Sequence, residues 1–355
     1  MKILITGNMG YLGPLVVRRF RESYPNAILV GLDIGYFANC LTTSDVFPEC
    51  RVDIQYFGDV RRFHQDLLTE VDAVVYLAAI SNDPMGKMFE RVTLEVNHRA
   101  AVLLAQRAKD SGTKKFVFAS SCSVYGFAED GARTEDSQVD PLTAYAKSKV
   151  YAERDLALLA DQTFTITSLR FATACGMSER LRLDLVLNDF VASAVASGRI
   201  NILSDGTPWR PLIHVKDMAR AIDWAVRRET TDGRPFLAIN VGSNQWNYQV
   251  KELAQAVTTV IPGVEVIINK NAQPDKRSYQ VSFDRFAQLA PDFEPETDLI
   301  TAIADLKHGL EAMGFHDKDF RNSKFMRLNT LKNLKSTGIL TENLEWVHQR
   351  RFVQV

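Results

Sequence analysis

The sequence has few cysteines, little net charge and no long apolar run. The four cysteines are Cys40, Cys50, Cys122 and Cys175. They show neither metal-type spacing nor a dense disulfide framework, which favours a reducing compartment and predicts a cytoplasmic protein. The formal net charge of −1 gives no electrostatic reason to expect nucleic acid or an anionic membrane as a partner. No apolar stretch approaches the roughly 18 residues of a membrane span, and the N-terminus leads into a predicted strand instead of a signal peptide.

The sequence also lacks internal repeats, low-complexity stretches and histidines at metal-ligand spacing, so we expect no metal centre. What it does have is 355 residues with 46% hydrophobic content. That length suits one large or two ordinary domains with a sizeable core.

The N-terminal segment has the order strand, glycine-rich loop, helix. An apolar run at residues 2–5 predicts the strand, and residues 15–23 predict a helix that ends before Pro25. The glycines suit a tight turn (Gly7), close backbone approach to a pyrophosphate (Gly10) and close packing of helix on strand (Gly13). Free N–H groups at the helix N-terminus favour phosphate. The candidate cofactor contacts of this loop are Gly7, Asn8, Met9, Gly10, Tyr11, Leu12 and Gly13.

A second predicted strand, residues 27–33, ends in Asp33, about twenty residues beyond the loop. A carboxylate there suits hydrogen bonds from an adenosine ribose and disfavours a 2′-phosphate. The sequence therefore predicts NAD as the cofactor instead of NADP.

Strand and helix signals alternate through the first half. Further strands are predicted at residues 51–57, 71–79, 115–120, 163–170 and 238–241, and long helices at 88–111 and 143–159. This alternation predicts an α/β fold with a Rossmann-type, doubly wound parallel sheet and a smaller, discontinuous C-terminal lobe. We expect residues 1–175 with parts of 210–245 to form the NAD-binding domain. Residues 176–210 and 245–355 would form the substrate-binding lobe, whose tail from about 307 either caps the lobe or joins an oligomer interface.

A phenol and an amine stand four residues apart, at Tyr145 and Lys149, within a predicted helix. This spacing places both side chains on one helix face. Beside a lysine and an oxidised nicotinamide, the phenol would lose its proton more easily, because positive charge favours the phenolate.

Six motifs together resemble the extended short-chain dehydrogenase/reductase superfamily, in its NAD-dependent nucleotide-sugar epimerase and dehydratase branch. They are Thr6-Gly-x-x-Gly-x-x-Gly13, Gly58-Asp-Val-Arg61, Leu77-Ala-Ala79, Ser120-Ser-Cys-Ser-Val-Tyr-Gly126, Tyr145-x-x-x-Lys149 and Leu169-Arg170. The resemblance implies an enzyme that binds NAD and a nucleotide-diphosphate sugar. It also implies a homodimer formed by the two long helices.

The resemblance assigns roles to individual residues. Ser121 would hydrogen-bond the reacting hydroxyl, Tyr145 would be the general base, and Lys149 would lower the phenol's pKa and hold the nicotinamide ribose. The further implied cofactor contacts are Asp59, Val60, Leu77, Ala78, Ala79 and Asn97. The candidate substrate contacts are Ser121, Ser123, Thr173, Asn188, Arg210, Arg277 and Tyr279.

Some of these substrate candidates have a particular basis. Arg210 offers a fork suited to phosphate oxygens, and Thr173 stands where the family often has asparagine. The segment 180–188 either lines the sugar pocket through Arg180, Arg182 and Asn188 or is simply a strand leading into a helix.

The residues after Ser121 narrow the choice among the reactions of this branch. Dehydratases and decarboxylases of this branch carry acidic residues there, whereas this chain has Cys122 and Ser123. The sequence thus favours a 4-epimerase working through a transient 4-keto sugar, with an NAD(P)-dependent 4-dehydrogenase or 4-ketoreductase as the alternative. A non-catalytic NAD(H)-sensing module is a third possibility, disfavoured by the intact catalytic set. Cys122 is either a buried apolar thiol or a proton donor.

Overall fold

The computed structural model describes residues 1–42, 46–128, 131–230, 234–269, 272 and 278–347. The strands in this part of the chain are β1 (Lys2–Thr6), β2 (Ile28–Asp33), β3 (Ile54–Phe57), β4 (Ala73–Tyr76), β5 (Lys115–Ser121), β6 (Thr165–Phe171), β7 (Thr173–Cys175), β8 (Arg199–Ile202), β9 (Trp209–His214), β10 (Phe236–Val241), β11 (Asn247–Gln249) and β12 (Glu265–Ile268).

The α-helices are α1 (Gly13–Ser23), α2 (Asp83–Met88), α3 (Glu90–Leu94), α4 (Ala101–Asp110), α5 (Ala144–Ala157), α6 (Val186–Ser197), α7 (Val215–Arg227), α8 (Val250–Val260), α9 (Asp284–Leu289), α10 (Leu299–Ala312) and α11 (Arg327–Ser336). Short 3₁₀ turns lie at Pro48–Arg51, Gln65–Leu68, Cys122–Tyr125, Asn244–Trp246, Pro291–Phe293 and Phe320–Asn322. No helix among the described residues is both long and apolar enough to cross a membrane.

The largest sheet has seven strands in the order β10-β6-β5-β4-β1-β2-β3, all parallel to their neighbours. The chain builds outward from β1 to β3 and then, on the other side of β1, from β4 to β10. Where the direction reverses, between β1 and β4, a crevice opens at the carboxyl ends of the strands. The predicted doubly wound α/β fold is confirmed.

Apolar side chains cover both faces of this sheet because successive residues of a strand point to opposite sides. In β1, Ile3 and Ile5 belong to the core on the side of α1 and α7, whereas Leu4 belongs to the core on the side of α4 and α5. Helix α1 buries Val16 and Phe20 in the first of these cores, and Pro14 in its first turn suits the helix start.

The predicted strand at 51–57 is shorter than expected. Pro48–Arg51 is a 3₁₀ turn, and the strand itself begins at Ile54. Strand β3 is the edge of the sheet, and Phe57 is 72% exposed. A half-exposed edge strand lacks the burial that makes a strand pattern clear in the sequence.

The long helix predicted at 88–111 is helical from Glu90 to Asp110, with a break just before it and a π-helical segment within it. Helices α2 and α3 meet at Phe89, whose φ of −123° and ψ of 49° are not helical. The chain then continues through a π-helical segment at Glu95–Ala100 before α4. The apolar periodicity runs through the π-helical segment, so the sequence pattern predicts the helix but not this local change in its hydrogen bonding.

The second half forms two small sheets, β11-β9-β7 and β12-β8. Helices α6, α8 and α10 pack together beside them around an apolar cluster that includes Val191, Leu253 and Leu306. This cluster is distinct from the two cores of the large sheet.

The tail is divided between the two halves. Helix α10 stays in the second-half cluster, but Leu331, Leu340 and Leu344 pack against Ile80 and Phe89 of the first half. The sequence left open whether the tail caps the lobe or joins an oligomer interface. In the described residues its last part instead lies against the loops at the carboxyl edge of the large sheet.

Candidate active site

A cavity of about 920 Å³ lies at the carboxyl edge of the large sheet and reaches into the second half. It contains the ends of β1, β2, β4, β5 and β6, where parallel sheets place their ligands. The predicted site residues that line it are Gly7, Gly10, Tyr11, Leu12, Asp33, Asp59, Val60, Leu77, Ala78, Ala79, Ser121, Ser123, Tyr145, Lys149, Thr173, Arg210 and Tyr279. Residues more than 270 positions apart in sequence thus meet in one space.

The glycine loop leaves room only for hydrogen at its key positions. Gly7 has a φ of +75°, and a Cβ there would lie 2.6 Å from the backbone nitrogen of Ala78. A Cβ at Gly13 would lie 2.0 Å from the carbonyl oxygen of Asn8. The loop therefore turns tightly and holds α1 against it, with the helix N-terminus facing the cavity. This cradle fits a dinucleotide diphosphate.

Asp33 is held at the end of β2 by backbone donors. Its two carboxylate oxygens accept hydrogen bonds from the N–H of Gly35 at 2.7 Å and of Met9 at 2.9 Å. Burial raises the pKa of this carboxyl, and the two backbone hydrogen bonds oppose the rise. Each oxygen keeps a further lone pair for a ribose hydroxyl, which is the role predicted for an NAD-binding acid.

Some predicted loop residues support the cradle from outside the cavity. The Asn8 side chain donates to Gln55 Oε1 at 2.6 Å, and Met9 is buried. Tyr11 lines the cavity, but its hydroxyl donates to the carbonyl of Gly176 at 2.5 Å, which ties the loop to the segment after β7.

Ser121, Tyr145 and Lys149 converge at the end of β5. Helix α5 begins with Thr143, whose hydroxyl accepts from Ala146 N–H at 3.1 Å, so Tyr145 lies in its first turn. The ammonium of Lys149 lies 5.6 Å from the centroid of the Tyr145 ring and donates to the carbonyl of Ala119 at 2.7 Å. The pair predicted from four-residue spacing does share one helix face.

Burial dominates the protonation of both groups. It raises the pKa of Tyr145 to about 12, and a hydrogen bond with the Ser121 side chain opposes the rise. It lowers the pKa of Lys149 to about 7, opposed by the negative charge of Glu153. In the unliganded protein the phenol is therefore a weaker acid than free tyrosine. The positive charge of a bound, oxidised nicotinamide would oppose this rise in the pKa of Tyr145.

Asn97 lies outside the cavity and braces it. Its carboxamide is fully buried, accepts from Ile80 N–H at 2.8 Å and donates to the Ile80 carbonyl and to Ser148 Oγ, both at 3.0 Å. Ser148 in turn donates to the carbonyl of Tyr145 at 2.6 Å. Asn97, predicted as a cofactor contact, thus does not line the cavity, and it supports the site indirectly through the loop after β4 and helix α5.

Cys122 and Asn188 do not line the cavity, in contrast to the sequence-based roles considered for them. Cys122 points to the opposite side of the strand end, where its thiol donates to the carbonyl of Arg170 at 3.1 Å and burial raises its pKa. The carboxamide of Asn188 accepts from Gly176 N–H and donates to Tyr11 and to the Arg182 carbonyl. It holds two loops together and has no direct path to a ligand.

Four of the remaining substrate candidates, Ser123, Thr173, Arg210 and Tyr279, line the cavity. The hydroxyl of Ser123 is buried there and has no hydrogen-bond partner among the described residues. Thr173 lies on β7, Arg210 on β9, and Tyr279 is 7% exposed. Arg277 lies outside the described residues. Arg180, one of the alternatives for the segment 180–188, is instead paired with Glu49 at 2.8 Å.

Two charged residues beside Tyr145 were missed or left open by sequence reasoning. Asp83 accepts from Thr143 Oγ1 at 2.7 Å, and its charge helps to raise the pKa of Tyr145. Arg182 pairs with Asp184 at 2.7 Å, and its charge opposes that rise. Asn82-Asp83-Pro84 is a helix-start signal directly after a buried strand. That signal was sufficient to place a carboxylate at this edge.

A sequence model of the NAD dependent epimerase/dehydratase family matches residues 3–242. The chain belongs to this family. Membership confirms the predicted superfamily branch, the enzyme class and NAD as the cofactor.

Relatives within the NAD dependent epimerase/dehydratase family catalyse different reactions. A UDP-glucose 4-epimerase of Lactobacillus helveticus is 25% identical over 338 residues, which cover 90% of this chain and all of the relative. A dTDP-glucose 4,6-dehydratase of Streptomyces griseus is 28% identical over 313 residues, covering 85% and 92%. The percentage of sequence identity thus does not decide which of the two reactions this chain catalyses.

A solved family structure has the same fold. It is the UDP-glucose 4-epimerase of Stenotrophomonas maltophila with bound NAD and formylated UDP-arabinopyranose. The TM-score is 0.74 at 23% identity, over 88% of this chain and 99% of that one.

Proposed function

We propose that this protein is an NAD-dependent nucleotide-sugar 4-epimerase that works through a transient 4-keto intermediate. The observation that carries the proposal is the convergence of Ser121, Tyr145 and Lys149 in the cavity that also contains the glycine cradle. A general base must lie within hydrogen-bond reach of the proton it takes, so a sugar bound here needs its reacting hydroxyl beside Tyr145.

The chain's own residues would divide the work as follows. NAD bound in the cradle supplies the hydride acceptor and donor at C4 of the sugar. Tyr145 removes the proton of the 4-hydroxyl and returns it after the sugar has presented its other face. Ser121, which lines the cavity at the end of β5 together with Tyr145, orients that hydroxyl. Lys149, fixed by the Ala119 carbonyl, stabilises the phenolate.

The second half of the cavity supplies groups for a nucleotide diphosphate. Arg210 lines the cavity with a guanidinium, a group suited to phosphate oxygens, and Thr173 and Ser123 add hydroxyls. The unpartnered hydroxyl of Ser123 supports a direct substrate contact, because a buried polar group without a partner is costly. We assign the substrate class as a nucleotide-diphosphate sugar without specifying its base.

A 4,6-dehydratase is the second candidate, because Asp83 brings a carboxylate to the Tyr145 side of the cavity. The site therefore contains a carboxylate even though positions 122 and 123 carry none. We rank epimerisation first because Asp83 is engaged by Thr143 and Asp184 by Arg182. The oxidoreductase alternative needs the same residues and differs only in releasing its product after one hydride transfer.

Tyr145→Phe tests the assigned base. The variant should lose turnover by roughly 100-fold or more, as expected for a general base, while it still binds NAD. Tyr151→Phe is the matched control, since Tyr151 lies on the same helix and is 38% exposed. The assay is conversion of a panel of nucleotide sugars, followed by NMR. Wild-type turnover by Tyr145→Phe would disprove the assignment.

A further inference from the structure

The first turn of helix α11 forms one wall of the cavity near the loop after β2. The cavity lining includes Met326, Arg327, Leu328 and Asn329, next to Ile34 and Phe37 from the loop after β2. The loop that follows Asp33 and the first turn of α11 thus face each other across the same space. The family model, which ends at residue 242, does not include this segment.

Specific hydrogen bonds hold this segment to the loops that surround the adenosine end. Trp346 Nε1 donates to the carbonyl of Ile34 at 2.7 Å, and the Tyr36 hydroxyl donates to the carbonyl of Leu344. Arg61 donates to the carbonyl of Asn343 at 3.0 Å. These bonds reach the loops after both β2 and β3, so α11 has a defined position over this end of the sheet.

Arg327, the first residue of α11, is 2% exposed. Its guanidinium lies 4.3 Å from the centroid of the Phe37 ring, and its Nη2 donates to the carbonyl of Arg180 at 2.7 Å. Its Nη1 is buried and has no hydrogen-bond partner in the described part of the chain. An arginine at the cavity wall therefore keeps N–H donors that the protein itself does not satisfy.

Arg327 also lacks an ion-pair partner among the described residues. Its two neighbouring arginines have acidic partners, since Arg180 pairs with Glu49 and Arg182 with Asp184. Within the described ranges no carboxylate lies at ion-pair distance from Arg327. Burial lowers the pKa of Arg327 to about 10, so it remains protonated at neutral pH. A buried, unpaired cation is costly unless a ligand supplies the missing anion.

We propose that Arg327 binds the diphosphate of the NAD cofactor, so that the C-terminal segment is part of the dinucleotide site. A diphosphate carries the charge and the oxygens that a guanidinium recognises. Two diphosphates enter this cavity, that of the cofactor and that of the nucleotide sugar. The position of Arg327 over Phe37, four residues beyond Asp33, favours the cofactor, whereas Arg210 on β9 serves the other end.

This assignment rests on the cofactor site of the proposed function and not on its reaction. Nucleotide binding is measured by calorimetry without turnover, so a negative result leaves epimerisation untouched. The primary variant is Arg327→Gln, which removes the charge but keeps N–H donors for the Arg180 carbonyl. The matched control is Lys332→Gln, which removes an exposed charge from the same helix.

Comparing the affinities of four ligands shows which part of which nucleotide Arg327 contacts. We expect Arg327→Gln to weaken the binding of NAD and of ADP-ribose by on the order of 10- to 100-fold, which is the range for loss of a charged hydrogen bond. Adenosine, which has no phosphate, and UDP should bind as to wild type, and Lys332→Gln should leave all four unchanged. Unchanged NAD affinity would overturn the proposal. Weakening of UDP alone would also overturn it, since Arg327 would then serve the substrate diphosphate.

A second variant at position 327 separates a loss of ligand binding from a failure to fold. Arg327→Met fills the space beside Phe37 with an apolar chain, and thermal unfolding without ligand identifies which variants fold. Either folded variant should show the same loss for NAD and the same normal affinity for adenosine. If neither variant folds, Arg327 is required by the protein itself, and the assignment to a ligand is overturned.

Discussion

Lys149 shows how the active site is built at the expense of stability. Its ammonium is 2% exposed and lies over the ring of Phe118 at 4.7 Å. Folding removes this charge from water, and the lowered pKa of about 7 records the cost. Catalytic groups of this kind are retained for their chemistry while the rest of the fold offsets their burial.

We expect Lys149→Met to stabilise the unliganded protein in a pH-dependent way. The pKa of Lys149 falls from 10.5 in the unfolded chain to about 7 when folded, so the unfolded state binds the extra proton between these values. Stability therefore falls as pH drops through this window, and the penalty is complete below about pH 7. Calorimetric melting temperatures of variant and wild type should differ most below pH 7 and converge toward pH 10.

Lys147→Met is the control for this effect, because Lys147 is exposed on the same helix. It should change the melting temperature little at any pH. A Lys149→Met variant that melts below wild type at pH 6 would contradict the buried-charge account.

Residue roles that depend on local spacing were predictable, and those that depend on distant packing were not. Four-residue spacing placed Tyr145 beside Lys149. Ser121 and Ser123 line the cavity and Cys122 does not, but strand alternation does not predict this, because Cys122–Tyr125 forms a 3₁₀ turn. No spacing rule brings Arg327 to the loop after Asp33, since the two lie almost 300 residues apart.

At the level of elements, the π-helical segment Glu95–Ala100 replaces the middle of the predicted long helix. π-turns often occur at functional sites. Here the segment carries Asn97, which connects the backbone of Ile80 to Ser148 and through it to Tyr145. Apolar periodicity does not report such a turn, because the buried face continues across it.

Asn97→Leu should destabilise the protein by roughly 2–4 kcal/mol, because it leaves the buried N–H and C=O of Ile80 without partners. It should also lower kcat, since Ser148 loses the donor that fixes it beside Tyr145. Urea denaturation and steady-state kinetics measure the two effects. Asn333→Leu, at an exposed position on α11, is the control and should leave both near wild type. Normal stability of Asn97→Leu would refute the bracing role.

At the scale of the whole molecule, the C-terminal segment packs against loops of the first half of the chain. The order of strands and helices in the first half was predictable because each element has its own local pattern. The return of residues 327–347 to the large sheet was not, because Leu331 and Leu344 look like any buried leucines in the sequence. Only the assembled fold shows which surface they cover.

We also expect a homodimer, through the surface of α4 and α5. Leu103 on α4 is 40% exposed and Tyr151 on α5 is 38% exposed, so pairing would bury apolar area that the monomer leaves in water. Light scattering should give twice the 39.9 kDa chain mass. Leu103→Lys should shift the mass toward the monomer, whereas Ile300→Lys, an exposed change on α10, should not. A wild-type monomer at micromolar concentration would contradict this expectation.

The central claim is that a hydride leaves C4 of the sugar and returns to the same carbon. The most direct measurement uses a turned-over nucleotide sugar with deuterium at C4, followed by NMR and by absorbance of reduced nicotinamide. We predict a C4 epimer that keeps its deuterium and NADH that never exceeds the enzyme concentration. Deuterium in released NADH with an equal amount of keto sugar, or a product that has lost water, would contradict the account.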